Sequence, residues 1–363
     1  MAYKDFQSTA QRPARRAFLK QAGALTLLSL AGGCGASAVP KRRGDDVAKA
    51  AMLLPLSGQH GDLGSAIAKA VWLVEDTGGA RNRVNILDGG TTPETAALAA
   101  RQAVAGGAEI IIGPLFSTQT AAVVTAVAPV PVMTLSNDET LAKAGAWTFG
   151  VTPAQSVQAM LRFARAQGAA SLAYLPAKGP VGGLASAAIA KGARAGRIKV
   201  MTPLSAAATK GDLVAALRAE GAGRLPDMFY VPGADSGARR AAAQAQKAGI
   251  QTVGSLQWAG LGPDDLAQLD KACFAGPDPA RFARLSVNYR ARLEQELGIL
   301  SALAVDAAAI AATARRKPGG AFTLTSKSQT EGLLGRCRFL NNRTCERELA
   351  MLRIEGGSVR KVA

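Results

Sequence analysis

Three loops of this 363-residue chain collect the side chains best suited to hold a small polar molecule. Leu56-Ser57-Gly58-Gln59-His60-Gly61-Asp62-Leu63-Gly64 follows one apolar, strand-like run, Gly113-Pro114-Leu115-Phe116-Ser117-Thr118-Gln119-Thr120 follows another, and Ser136-Asn137-Asp138 follows a third. Each brings hydroxyls and small residues to a helix start, where unpaired backbone N–H groups can hold a carboxylate. N-capping by Ser and Asp accounts for any one of these loops taken singly; their convergence on one sheet edge is what points to a ligand. Asp138 and Asp235 are candidates to meet a cationic group, with helix capping as the competing role. His60 either touches ligand or sits in a solvated loop, and Trp258 either stacks on ligand or fills a hinge. The candidate ligand-binding set is Ser57, Gln59, His60, Ser117, Thr118, Ser136, Asn137, Asp138, Asp235 and Trp258. Catalysis has little footing: there is no G-x-S-x-G, no Walker loop, no C-x-x-C, no G-x-G-x-x-G after a strand and no His or Cys set at metal spacing. The expectation is a binding protein, not an enzyme, with no cofactor and no metal.

The N-terminus reads as a targeting segment. Arg15-Arg16-Ala17-Phe18-Leu19-Lys20 resembles the twin-arginine export signal, with Ala14 where the pattern has Ser. An apolar run from Ala22 to Ala31 follows, too short to span a bilayer, and then Gly32-Gly33-Cys34. Leu30-Ala31-Gly32-Gly33-Cys34 resembles a lipoprotein box, in which Cys34 becomes lipidated and N-terminal. Cleavage after Ala36-Ser37-Ala38 is the alternative and would release a soluble protein. The lipoprotein reading is preferred. It makes residues 1–33 a signal peptide and 34–47 a linker, and it places the protein in the periplasm of a Gram-negative bacterium, held to the membrane through Cys34. Lys41-Arg42-Arg43 would then lie beside anionic headgroups, or form a solvated linker.

Charge narrows the partners. The chain carries 43 Lys and Arg against 26 Asp and Glu, a net +17. The leader holds Lys4, Arg12, Arg15, Arg16 and Lys20 against Asp5, so the remainder is still strongly basic. That balance suits anionic surfaces or acidic ligands. It does not indicate nucleic acid, because the cations are scattered, aromatic residues are only 5% of the chain and no groove-reading motif occurs. Of the four cysteines, Cys273 stands alone. Cys337 and Cys345 bracket Arg338 to Thr344. A three-residue hairpin loop would oppose them directly and allow a disulfide, whereas a two-residue turn would put them on opposite faces.

The elements that must position these loops alternate in type. Ala51–Pro55, Arg83–Leu87, Glu109–Gly113 and Pro131–Leu135 read as strands, separated by helical patterns at Gly64–Glu75, Pro93–Ala105 and Ser117–Val127. A second set follows, with strands Ser171–Leu175, Arg197–Met201, Asp227–Val231 and Thr252–Leu256 and helices Pro153–Gln167, Gly182–Ala195, Gly211–Glu220 and Ser236–Ala248. Asp278–Leu297 and Ser301–Arg316 read as further helices. The tail from Arg338 reads as strands turning at Asn341-Asn342 and Gly356-Gly357. The rhythm predicts an α/β protein of two Rossmann-like lobes with parallel sheets and a hinge cleft between them. Residues 48–149 plus 257–327 are expected in lobe 1, and 150–256 plus 328–363 in lobe 2.

Leu54-Pro55-Leu56-Ser57-Gly58 with Leu63-Gly64, and Gly113-Pro114-Leu115 with Ser117 and Thr120, resemble the type I periplasmic binding proteins of the leucine-binding kind over nearly all of residues 48–363. Ser136-Asn137-Asp138, Thr152-Pro153, Phe274 to Pro279, Tyr289, Asp306-Ala307 and Gly335 to Phe339 are similar to a subgroup of lipoprotein activators of penicillin-binding proteins. The resemblance implies two lobes joined by three crossovers and closing on a small polar, amino acid-like solute. It places Ser57, Ser117, Thr118 and Ser136 to Asp138 on one wall, and Pro176 to Gly183, Asp235 and Trp258 on the other. It implies an ABC permease as partner; the alternative it implies is a cell-wall synthase regulated through protein contacts. The chain departs from the leucine-binding pattern at Asn137-Asp138, Val181-Gly182 and Val305.

Overall fold

A computed structural model describes residues 48–77, 84–176, 179–204, 211–318 and 320–362. The leader residues Arg15, Arg16 and Cys34 lie outside the described residues, as do residues 177–178 of the expected second wall.

The first sheet is parallel and has the order β2-β1-β3-β4-β5. Its strands are β1 (Ala50–Leu54), β2 (Val84–Asp88), β3 (Ile110–Ile112), β4 (Val132–Thr134) and β5 (Trp147–Thr148). β1 and β3 are apolar and buried along their whole length, as expected of strands covered on both faces. The covering helices are α1 (Gly61–Thr77), α2 (Pro93–Ala105) and α3 (Ser117–Val127). α2 starts sharply: Thr92 caps the amide of Thr95, Pro93 fills the first turn, and a face of buried alanines meets the sheet. Gly64 lets α1 press against the end of β1, since a Cβ there would meet the Pro55 carbonyl oxygen at 2.1 Å.

The second sheet has the order β17-β16-β10-β9-β8-β6-β7. Its parallel strands are β6 (Ser171–Tyr174), β7 (Lys199–Val200), β8 (Met228–Val231), β9 (Gln251–Gly254) and β10 (Cys273–Gly276). The antiparallel β16 (Ala350–Glu355) and β17 (Ser358–Lys361) extend it. α4 (Pro153–Ala166), α5 (Gly179–Gly196), α6 (Leu213–Glu220), α7 (Ser236–Lys247) and α8 (Pro263–Ala267) accompany this sheet. α9 (Pro279–Leu293) and α10 (Ile299–Ala311) return to the first core, where Tyr289, Leu303 and Ile310 pack with Met52 and Ile67. The short pair β11 (Arg315–Arg316) and β12 (Phe322–Thr323) follows, then the three-stranded β13 (Gln329–Gly332), β14 (Gly335–Phe339) and β15 (Cys345–Arg347).

The two-lobed α/β architecture follows the expectation, but its boundaries move. Residues 257–276 were expected in lobe 1; instead β10 pairs with β9 and β16, and Leu266, Leu269 and Phe274 enter the second core. Residues 328–347 were expected in lobe 2, yet Leu334, Cys337, Phe339 and Cys345 belong to the first core. Helix Ser301–Arg316 stops at Ala311, and Arg315–Arg316 is a strand.

The lobes are tied where the chain crosses. Arg347, at the end of β15, is buried and donates to the Phe149 carbonyl at 3.2 Å. It lies 3.4 Å from the Asp306 carboxylate and 4.7 Å above the Phe149 ring. Asp306 also accepts from the amides of Leu333 and Leu334. Burial raises the Asp306 pKa, against the pull of Arg347 and those two amides. Gln155 of α4 donates to the Cys345 carbonyl at 2.7 Å, fastening the second lobe to the same hairpin.

Neither loop length expected for the cysteine hairpin is present. Phe339 faces Cys345 and Cys337 faces Arg347, with Leu340 to Thr344 as the connection. The cysteines are thus offset by two positions, which keeps both on the buried face. They are free thiols, hydrogen-bonded to one another; that bond and burial push the Cys345 thiol well up.

Two outcomes are expected. Asp306→Ala should leave Arg347 buried without its counter-charge and cost about 3–5 kcal/mol in urea unfolding, while Asp306→Leu/Arg347→Met should recover much of the loss. The Cys337–Cys345 pair should close under oxidising conditions and add about 2–3 kcal/mol. Thiol counting on the denatured, unreduced exported protein should then find Cys273 alone; three reactive thiols would refute the bond.

Candidate functional site

A cavity of about 480 Å³ opens between the lobes at the carboxyl ends of their strands. The first lobe supplies Leu63 from α1, Leu115 and Phe116 after β3, Leu135, Ser136 and Asn137 after β4, and Ile299, Leu300 and Leu303 from α10. The facing wall is built by Val151, Thr152, Pro153 and Ser156 at the start of α4, Tyr230 at the end of β8, and Ser255, Leu256, Gln257 and Gly260 beyond β9. No charged side chain is among these lining residues.

The structure brings together only part of the expected set. Ser136 and Asn137 line the cavity, and Thr152-Pro153 joins them. Ser136 is held from behind: its amide bonds Thr134 Oγ1, which meets Thr120 Oγ1 at 3.0 Å. Asp138 turns away to cap the next turn, accepting from the Thr140 amide and hydroxyl. The Ser57 hydroxyl bonds Asp88; burial of Asp88 works upward, but that bond and three amides outweigh it and lower its pKa. Gln59, Ser117 and Thr118 are exposed and outside the lining, while His60 tilts over Phe116 at 5.0 Å between ring centres. On the other lobe, Asp235 is an exposed cap of α7, accepting from the Ala238 amide at 3.0 Å. Trp258 is wholly buried and donates to the Gly233 carbonyl at 2.8 Å. It lies flat on Gly254, where a Cβ would meet the indole at 2.1 Å, so it fills the core under the cavity.

The residue that sequence reasoning missed is Tyr230. The residue borders the cavity, but its side chain is fully buried in a core of the second lobe with Met160 and Met351, and its hydroxyl has no partner among the described residues. Burial pushes its pKa up strongly, so the hydroxyl is neutral and free both to donate and to accept. The signal available was its place at the carboxyl end of a parallel strand, where such sheets bind ligands. Ile299, Leu300 and Leu303 were missed too, because α10 read only as core.

Two α/β lobes joined by three crossovers, with a cavity at the strand ends, define a solute-binding class of protein. Comparison with known families places it further. The family model described as periplasmic binding protein matches residues 48–358, and the chain belongs to that family. No curated protein matches. Among solved structures it is similar to a candidate branched-chain amino acid ABC transporter protein from Rhodospirillum rubrum, with 18% identity over 87% of this chain and 100% of that one and a TM-score of 0.72. It is also similar to the C-domain of LpoA from Haemophilus influenzae, a regulator of PBP1A, with 17% identity, coverage of 86% and 99%, and a TM-score of 0.64. A third is LivJ of Streptococcus pneumoniae in complex with isoleucine, with 20% identity, coverage of 87% and 99%, and a TM-score of 0.56. At these identities the likeness is one of fold, and the two-lobed family expected from the sequence is the one found.

These positions separate caps from contacts. Asp235→Ala should cost about 1 kcal/mol of stability and leave cavity binding unchanged. A loss of ligand affinity at unchanged melting temperature would return Asp235 to the binding set.

Proposed function

We propose that this protein is exported to the periplasm, anchored through lipid on Cys34, and captures a small solute between its lobes for an ABC-type transporter. The observation that carries this reading is the interlobe cavity at the strand ends, walled by residues of both lobes. Hinge closure would hide the solute and present a new surface to a permease. Nothing in the cavity calls for a nucleophile or an acid–base pair, so the reading is binding and not catalysis. Among the described residues no helix is long and apolar enough to cross a membrane, so on this reading the attachment rests on Cys34.

One observation favours a second reading, regulation of a cell-wall synthase through protein contacts. Neither Asp138 nor Asp235 reaches the cavity, so the expected amino acid-like solute lacks its ammonium partner.

Thermal-shift screening against a broad metabolite set tests capture, because a ligand at a hundred times its Kd adds about 2.7 kcal/mol. If no compound raises the melting temperature and a class A penicillin-binding protein is retained, the second reading replaces the first. Export is tested separately. Arg15→Lys with Arg16→Lys should strand the precursor in the cytoplasm. Cys34→Ala should release the protein from membranes; an unchanged membrane fraction would favour cleavage after Ala38.

A further inference from the structure

We propose that a second cavity, set beside the crossovers, binds a small multivalent oxyanion through guanidinium N–H groups that the fold leaves unused. This cavity shares no lining residue with the interlobe one, so its ligand is independent of solute capture.

The second cavity measures about 700 Å³. Its floor is the outer face of the β13–β15 sheet. The register pairs Gln329 with Arg338, Glu331 with Arg336 and Arg338 with Glu346, so these side chains share that face, while Cys337 and Phe339 share the buried one. The rim comes from Arg162 of α4, from Asp278 and Arg281 at the start of α9, and from Lys361 of β17. Both lobes therefore contribute. The chain passes along the cavity at the second crossover, by Asp278, and at the third, by Glu348 and Leu349.

Donors set against acceptors give the ligand class. Every carboxylate here but one already holds a partner. Glu331 accepts from Arg281 on one oxygen, at 2.8 Å, and from Arg336 on the other. Glu346 accepts from both Nε and Nη2 of Arg338, and Asp278 from the Ala280 amide and Lys361 Nζ. Glu348 is the exception; it acts on Arg336 at longer range, after Glu331. The donors are far from used up, because a guanidinium carries five N–H groups. Arg281 and Arg336 each commit one nitrogen, and Arg162 reaches only the Leu349 carbonyl, at 3.5 Å. Arg162, Arg281, Arg336, Arg338 and Lys361 stand against Asp278, Glu331, Glu346 and Glu348, which leaves one positive charge over. Arg347 also borders the cavity but turns inward to Asp306 and the Phe149 carbonyl. A small excess of charge with a large excess of forked donors suits a phosphate or carboxylate group, which such forks hold two oxygens at a time. The basic balance of the whole chain, +17, also asks for an anionic partner, and the uncharged lining of the interlobe cavity gives it no site.

Calorimetry on the purified exported protein at low salt tests this, with pyrophosphate and citrate as probes. At least one of the two should bind one-to-one. Arg162→Gln and Arg336→Gln should each weaken that binding about ten- to a hundredfold. Both side chains are exposed, so the melting temperature should stay close to that of the parent protein. Arg240→Gln, which removes the same charge from an exposed position on α7, should leave the affinity unchanged. Absence of saturable binding by either anion would overturn the site. Equal weakening by all three substitutions would overturn it too, because the effect would then be one of net charge. Vesicles of phosphatidic acid in phosphatidylcholine separate the two sources of such a group. Retention that pyrophosphate competes away and Arg162→Gln abolishes would make it a lipid headgroup. Pyrophosphate binding without retention would make it part of a soluble ligand.

Discussion

The arrangement of the two lobes depends on one buried ion pair. Arg347 and Asp306 sit where the first lobe hands the chain to the second, with side chains almost wholly excluded from water. Such a pair is a costly choice for stability alone, since the desolvation of both ions offsets most of their attraction. Its reach is what matters here. Arg347 grips the Phe149 carbonyl at the first crossover and stands two residues before the third. Asp306 fixes α10 to the turn between β13 and β14 through the Leu333 and Leu334 amides. Gly332 packs directly on that carboxylate, with room for no Cβ. One charge pair therefore sets the position of the crossovers, of α10 and of the cysteine hairpin.

α10 carries that geometry into the cavity. Asp306 anchors the helix about one turn after Leu303 and about two turns after Ile299 and Leu300, which emerge on the cavity wall. On the other side Gln155, in the first turn of α4, bonds the Cys345 carbonyl and holds Thr152 and Pro153 at the rim. Both walls are thus referenced to the same hairpin, β14–β15. A change in that hairpin, such as closing its two thiols, acts at the hinge and at a distance from the ligand. The thiols share the buried face with Phe339, which packs against both Trp147 and Phe149.

Much of this was legible in the sequence, and what was not has physical causes. Runs such as Ala50–Leu54 and Ile110–Ile112 are apolar throughout, and strands of that kind belong inside parallel sheets. β5 is two residues long and β10 follows a short helix and a buried tryptophan, so neither gave a period to read. Missing β10 moved the lobe boundary by about one element. At the site, Ser136 and Asn137 were legible from their place after a strand. Asp138 and Asp235 fitted two roles equally from sequence, because a carboxylate that caps a helix and one that binds a cation occupy the same kind of position. Tyr230 was not legible as a residue bordering the cavity: Met228 to Val231 is an uninterrupted buried strand, and where its end lies shows only once the sheet is built.

Capping chemistry and ligand chemistry compete for the same atoms in this fold. Helix starts at the strand ends expose amides and attract Ser, Thr and Asp, the very groups that a polar ligand would use. Here the local structure has claimed most of them. Asp138, Asp212, Asp235 and Asp278 each accept from an amide of their own helical turn, and Thr152, Ser156 and Ser255 hold the chain around the hinge. A cleft built this way has firm walls and little charge left to offer. Recognition then falls to shape, to apolar area and to the polar side chains in the lining, such as Asn137 and Gln257.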